Sequence, residues 1–252
     1  MNNLITKALS YSDIDSLVHI GGHIGQEVDF YQTLNLKKVI FFEPVEEFAK
    51  EILYKIDGKK NFVLHKYALG SQDSEKLIYI ADKGVDDDSG STSLLQPRES
   101  KISFSNKKLI EVKKYTNFEY SNIDLAVLDT QGYELEVLRG FEEKLNSFKF
   151  IVTEFTNFEG YFNQVLYNNL NKFLNKNNFS LVSQNKKIMK VFPNKQGGSY
   201  GDALYINNLL ISKKKVLQNS LRYKFLNNYI YDFLSLYLNL KFWKSKLKII
   251  LR

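Results

Sequence analysis

Three groups of residues in this 252-residue chain have the types and spacing for chemistry. The first is Gly21-Gly22-His23-Ile24-Gly25, directly after the apolar run Ser16–Ile20. Glycine suits a place where the backbone turns sharply and a ligand comes against the main chain. The second is Glu43, 18 residues beyond Gly25 and just after Val39-Ile40-Phe41-Phe42. A carboxylate at a strand end can accept hydrogen bonds from both hydroxyls of a ribose. The third is Asp129 and Glu154, each at the end of a strongly apolar run. Together the glycines and Glu43 point to a cofactor that contains adenosine, which leaves NAD and S-adenosylmethionine as the choices. Gly21-Gly22-x-x-Gly25 departs from the three-glycine spacing that seats a pyrophosphate. Adenosylmethionine has no phosphate and needs only a glycine-lined wall.

The elements that must position these groups alternate short apolar runs with longer helical stretches, the pattern of a parallel α/β sheet. Strands are expected at Ser16–Ile20, Val39–Phe42, Phe62–Tyr67, Leu77–Ala81, Ile110–Lys114, Asp124–Asp129, Phe150–Phe155, Phe179–Ser183 and Ala203–Asn207. Helices are expected over Gln26–Leu34, Val45–Ile56, from about Tyr133, and over Val165–Lys176. Pro44 ends the second strand and suits the first turn of the helix after it. Residues 82–106 read as a polar loop through Asp86-Asp87-Asp88 and Ser91-Thr92-Ser93, and so long a loop is usually a lid or a binding loop. Asp129 and Glu154 then fall where open α/β sheets place their ligands. Gly197-Gly198-Ser199-Tyr200-Gly201-Asp202, before the last strand, is a further candidate border of an acceptor pocket. His65 reads as a satisfied strand histidine.

These motifs, taken in order, resemble the FkbM-type methyltransferases. The resemblance rests on His19–Gly25, Phe42-Glu43-Pro44, Ala68-Leu69-Gly70, Ser91-Thr92-Ser93-Leu94 and Ile151-Val152-Thr153-Glu154. Its most specific part is Asp129-Thr130-Gln131-Gly132-Tyr133-Glu134 through Leu138-Arg139-Gly140. It spans roughly residues 16–207. It implies a class I methyltransferase fold, with a Rossmann-like, mostly parallel sheet and helices on both faces. It also implies O-methylation of a polar acceptor, such as a sugar or nucleotide-activated sugar of a surface glycan, with S-adenosyl-L-methionine as cofactor. Gly21, Gly22 and Gly25 would line the methionine portion, Glu43 would hold the ribose, Tyr67 and Ala68 would flank the adenine, and Asp129 would stand where cofactor meets acceptor. One departure is His19, where the family usually has an acid; Gly22 also replaces a common alanine. The general base is sought among Asp129, Glu154 and His23, in that order. A divalent cation shared by the two carboxylates is the less favoured alternative. An NAD-dependent oxidoreductase and a non-catalytic binding protein on the same fold are the rival readings.

Composition narrows the field further. The chain has no Cys and only three His, which excludes thiolate metal sites, cysteine nucleophiles and disulfides. A reducing cytoplasm is the expected location. The net charge is +7, yet residues 213–252 hold ten Lys and Arg against Asp232 alone, a local +9 that leaves −2 on residues 1–212. The basic character therefore belongs to the tail, and no nucleic-acid partner is expected. Within the tail, Leu226, Ile230, Leu234 and Leu238 recur at helical spacing. Residues 1–212 are expected to form the catalytic domain, with 81–108 as a lid over the acceptor. Residues 213–252 are expected to form amphipathic helices that support a homodimer, with peripheral contact to the inner face of a membrane as a secondary role.

Overall fold

Strands that are apolar at every position cannot leave either face in water, so the sheet they build must be covered on both sides. The structure, a computed structural model, describes residues 1–82, 88–98, 102–191 and 196–212. Its elements in chain order are α1 (Asn2–Leu9), β1 (Ser16–Ile20), α2 (Val28–Thr33), β2 (Lys38–Phe42), α3 (Glu46–Ile56), β3 (Phe62–His65), β4 (Ala68–Leu69) and β5 (Ser74–Ile80). They continue with β6 (Asn106–Lys113), β7 (Leu125–Leu128), α4 (Glu134–Gly140), β8 (Phe150–Thr156), α5 (Tyr167–Lys176), β9 (Phe179–Val191) and β10 (Gln196–Asn207).

Seven strands form one sheet in the order β3-β2-β1-β7-β8-β10-β9. The first five are parallel, and β10 runs antiparallel to both β8 and β9. Side chains alternate across this sheet with period two. Leu17, Val39, Phe41, Val127 and Val152 face one core with Leu4 and Ile5 of α1, Val28 and Tyr31 of α2, and Ile52 of α3. Val18, Ile20, Phe42, Leu128 and Ile151 face the other core with Leu135 and Leu138 of α4 and Leu170 and Leu174 of α5. From β1 the chain builds outward to β2 and β3, and later returns to add β7 and β8 on the opposite side. That reversal opens a crevice above the carboxyl ends of β1 and β7.

A second, three-stranded sheet, β4-β6-β5, stands beside the first. The expected strand Phe62–Tyr67 ends two residues early, at His65, and a separate strand, Ala68–Leu69, pairs with Val112–Lys113 of β6. β5 and β6 run longer than the expected Leu77–Ala81 and Ile110–Lys114, because their antiparallel ladder continues through polar residues on an open face. Backbone pairing likewise carries β9 and β10 well beyond Phe179–Ser183 and Ala203–Asn207. Helix α1 has no counterpart among the expected elements, although Leu4, Ile5 and Ala8 bury its inner side. Part of the expected loop is ordered by pairing: Ser93 exchanges backbone bonds with Tyr79, and Pro97 bridges Tyr161. The tail, 213–252, lies outside the described residues, and no helix among them is long and apolar enough to cross a membrane.

Gly140, the last residue of α4, sets how closely that helix approaches the second sheet. A Cβ there would fall 1.9 Å from the Gly70 carbonyl oxygen. Gly140→Ala should therefore force the helix and β4 apart, lowering stability by about 1–3 kcal/mol. Urea unfolding monitored by circular dichroism measures this, and an unchanged midpoint would show that the contact relaxes freely.

Candidate active site

The crevice is shaped first by Gly21. Its φ of +84° is left-handed, and a Cβ would lie 1.9 Å from the Asp129 carbonyl oxygen. Only glycine lets the chain leaving β1 pass so close to the chain leaving β7. The turn is held by the Gly21 and Gly22 N–H groups, which both donate to the Phe42 carbonyl, and by the Asp129 N–H donating to Ile20. Gly22 and Gly25 face away from the crevice, toward Ile52 of α3.

Two cavities occupy the crevice and share Asp129 and Gly90 in their walls. The first, of 190 Å³, runs from Asp129 past Gly21 and His23 to Glu43, with Phe42, Pro44, Phe48, Ala68, Leu69 and Ile78 forming an apolar side. Of the residues expected around the adenine, Ala68 lines this cavity. Tyr67 does not; it packs near Phe118, ring centres 6.0 Å apart. The second cavity, of 640 Å³, has Asp129, Glu154 and Gln131 on one side and Phe104, Phe158, Tyr161 and Tyr200 around them. Its size is that of an ordinary small-molecule pocket. Tyr200 lies inside β10, so the expected 197–202 border arises from a strand and not from a connection.

Glu43 is buried, with one carboxylate oxygen accepting the His23 N–H and the other the Val45 N–H, each at 2.8 Å. It therefore caps the entry to α3 and lines the cavity at once. Burial pushes its carboxyl up to about 8, against the downward pull of the Val45 and His23 N–H groups. His23 has a φ of +44° and stacks edge-on against Phe48. It faces the first cavity beside Glu43, whereas Asp129 and Glu154 face the second together. His19 is in neither wall. Its ring is buried against Tyr31 and Phe41, Nδ1 lies 3.0 Å from the Tyr31 hydroxyl, and burial pulls it down to about 4 despite Asp129 nearby. It packs as a neutral imidazole. His65 ends β3, half-buried and 2.6 Å from the Tyr120 hydroxyl.

Asp129 and Glu154 end adjacent strands and keep part of their surface open to the cavity. Gln131 joins them: its amide nitrogen donates to Asp129 at 2.9 Å and to Glu154 at 2.8 Å. Loss of water raises both carboxyls, and the negative charge of Asp129 raises Glu154 further, well above the usual carboxylate range. The two carboxyls therefore act as a coupled pair that holds a proton more readily than free carboxyls do. Gln131 itself sits at φ +51°, a costly conformation for a side chain other than glycine. Glu134 holds that turn, accepting from the Thr130 N–H and hydroxyl and from the Gly132 N–H. From the loop side, the buried Ser93 hydroxyl donates to the Gln131 carbonyl at 2.8 Å. Gln131, Glu134, Phe104, Phe158 and Tyr161 are site residues that the sequence reading misses, whereas Tyr200 falls in the expected 197–202 border; Gln131 and Glu134 lie inside the Asp129–Gly140 motif, and the rings come from three separate segments. Among the described residues no group of three or more His, Cys, Asp or Glu could hold a metal ion.

The fold and this crevice define a class I methyltransferase, Rossmann-like with a mostly parallel sheet. The sequence matches the methyltransferase FkbM domain over residues 19–181, and the chain belongs to that family. No curated protein matches it. Among solved structures, a methyltransferase FkbM from Methylobacillus flagellatus KT is 13% identical with a TM-score of 0.46 over 77% of this chain and 43% of that one. The present chain thus spans less than half the length of that protein. Sp1610 of Streptococcus pneumoniae, in complex with S-adenosyl-L-methionine, is 13% identical with a TM-score of 0.45, covering 82% and 72% of the two chains. Magnesium protoporphyrin IX methyltransferase of Synechocystis PCC 6803, with the same ligand bound, is 11% identical with a TM-score of 0.43, covering 80% and 74%.

Glu43 makes a testable demand on adenosine binding. Below about pH 8 its carboxyl is protonated in the free protein. Two ribose hydroxyls donating to it would favour the carboxylate, so binding releases a proton and tightens as pH rises. Calorimetry with S-adenosylhomocysteine should show the affinity rising by up to about tenfold per pH unit toward pH 8 and levelling above it. Glu43→Gln should flatten that profile and weaken binding. A flat wild-type profile would show that Glu43 keeps its proton beside the ligand.

Proposed function

We propose that the protein transfers a methyl group from S-adenosylmethionine to a hydroxyl of a polar acceptor, a sugar unit in particular. The observation that carries this reading is the pair of cavities meeting at Asp129, one ending at a buried carboxylate beside an apolar slot and the other ringed by aromatic side chains. The residues fit the cofactor. Gly21 lines the hollow with bare backbone, Glu43 has an acceptor pair for the ribose, and Phe42, Pro44 and Leu69 offer an apolar seat for a purine. Bound there, adenosylmethionine supplies a methyl on a positively charged sulfur, open to displacement by a hydroxyl oxygen.

The chain's own part is to bring the acceptor hydroxyl into line and to take its proton. Alignment supplies most of the acceleration in such a displacement. Three tethers hold the acceptor side: Ser93 on Gln131, Tyr161 donating to the Ser91 carbonyl at 2.6 Å, and Pro97 bridged to Tyr161. Asp129, steadied by Gln131 where the two cavities meet, accepts the proton. Glu154, tied to the same amide, can hydrogen-bond a neighbouring hydroxyl of the acceptor. Neither step needs a metal ion.

Two measurements test the reading. S-adenosylhomocysteine should raise the melting temperature and NADH should not; stabilisation by NADH alone would contradict it. Candidate sugars incubated with protein and adenosylmethionine should gain the mass of one CH2 unit, as a methyl replaces the hydroxyl hydrogen. Asp129→Asn keeps the shape and loses the base, so it should slow turnover by about 100-fold or more. Near-normal turnover in that variant would move the base to Glu154.

A further inference from the structure

We propose that the second cavity seats an uncharged, ring-shaped polyhydroxyl unit and rejects the same unit when it carries a phosphate. This rests on the methyltransferase reading and narrows its acceptor. The wall joins four aromatic rings to two carboxylates, and among its described residues there is no Lys, Arg or His. Phe104 and Tyr161 meet edge to face with centres 6.5 Å apart, and Tyr161 is bridged through its backbone to Pro97. Ring faces of this kind suit the apolar face of a saturated sugar ring, and a few placed polar groups then fix its orientation.

The polar groups are matched to hydroxyls. A hydroxyl both donates and accepts. Asp129 and Glu154 offer carboxyl oxygens side by side, and the Gln131 amide spans the two. Among the described residues, two cations stand by the wall without being part of it. Arg98 pairs with Glu159 and covers the Phe162 ring at 4.7 Å, while Lys187 lies over the Tyr200 ring at 5.7 Å. A phosphate drawn into the cavity would lose water, meet the negative charge of the acid pair and find no cation among the described residues of the wall. A nucleotide-activated sugar would have to keep its diphosphate out in solvent.

The test uses the full chain with adenosylmethionine and pairs of acceptors: methyl glycosides of common hexoses, and the corresponding sugar 1-phosphates and UDP-sugars. Transfer is read by mass spectrometry as kcat/KM. The neutral member of an accepted pair should be favoured by about tenfold or more over its 1-phosphate. Thr156→Lys, which sets a cation in the wall, should narrow that gap; Ile102→Lys serves the same purpose if the first variant fails to fold. Equal or better transfer to the phosphate overturns the inference while leaving the methyltransferase reading standing. So does preferential transfer to an amino sugar at its amine. Adenosylhomocysteine binding with no transfer to any member overturns both this inference and the carbohydrate part of the function.

Discussion

The close passage of two backbones, at Gly21 and at Asp129, is the constraint on which the site depends. β1 and β7 are neighbours in the sheet, and each must leave it in a different direction at the same height. The Asp129 N–H is already committed to Ile20 and the Gly21 N–H to Phe42, so neither chain can retreat without breaking a ladder bond. The crevice is narrow for that reason. Its floor is main chain, and its chemistry is supplied by side chains at that height: Glu43 just beyond β2, Asp129 just beyond β7, and Glu154 two residues before the end of β8.

Those three carboxyls carry the cost of the arrangement. None has a Lys or Arg partner among the described ion pairs, and burial raises each of them. Such groups persist when hydrogen bonds hold them. Backbone N–H groups serve Glu43, and one amide serves Asp129 and Glu154 together. Glu134, also buried and raised to about 7, is spent on the turn that aims this amide. A chain of bonds thus runs from Glu134 through the 130–132 turn to Gln131, and from Gln131 to both carboxyls and to Ser93 of the covering loop. Loop, turn and acid pair stand or move together.

How much of this was legible in the sequence follows from the physics of each element. The parallel strands are buried on both faces, so they read as unbroken apolar runs, and β1, β2, β7 and β8 were found within a residue or two. Their ends located Glu43, Asp129 and Glu154. The antiparallel strands β5, β6 and β9 have an open face, and the extra length of these strands and of β10 is set by backbone pairing that leaves no apolar run to follow. Gly22 and Gly25 sit in the same short motif as Gly21, and only coordinates separate the residue facing the crevice from those facing Ile52. The aromatic wall draws on residues from Phe104 to Tyr200, and no local pattern could have assembled it.

The central claim is that one hollow holds adenosine at Glu43 and brings the reacting end to Asp129. The most direct measurement is a crystal structure of the full chain with S-adenosylhomocysteine. The account predicts both ribose hydroxyls on the Glu43 carboxylate, the purine against Phe42 and Leu69, and the sulfur facing the wall that the two cavities share at Asp129. A purine at the Asp129 end, or a ligand seated away from Glu43, would contradict it.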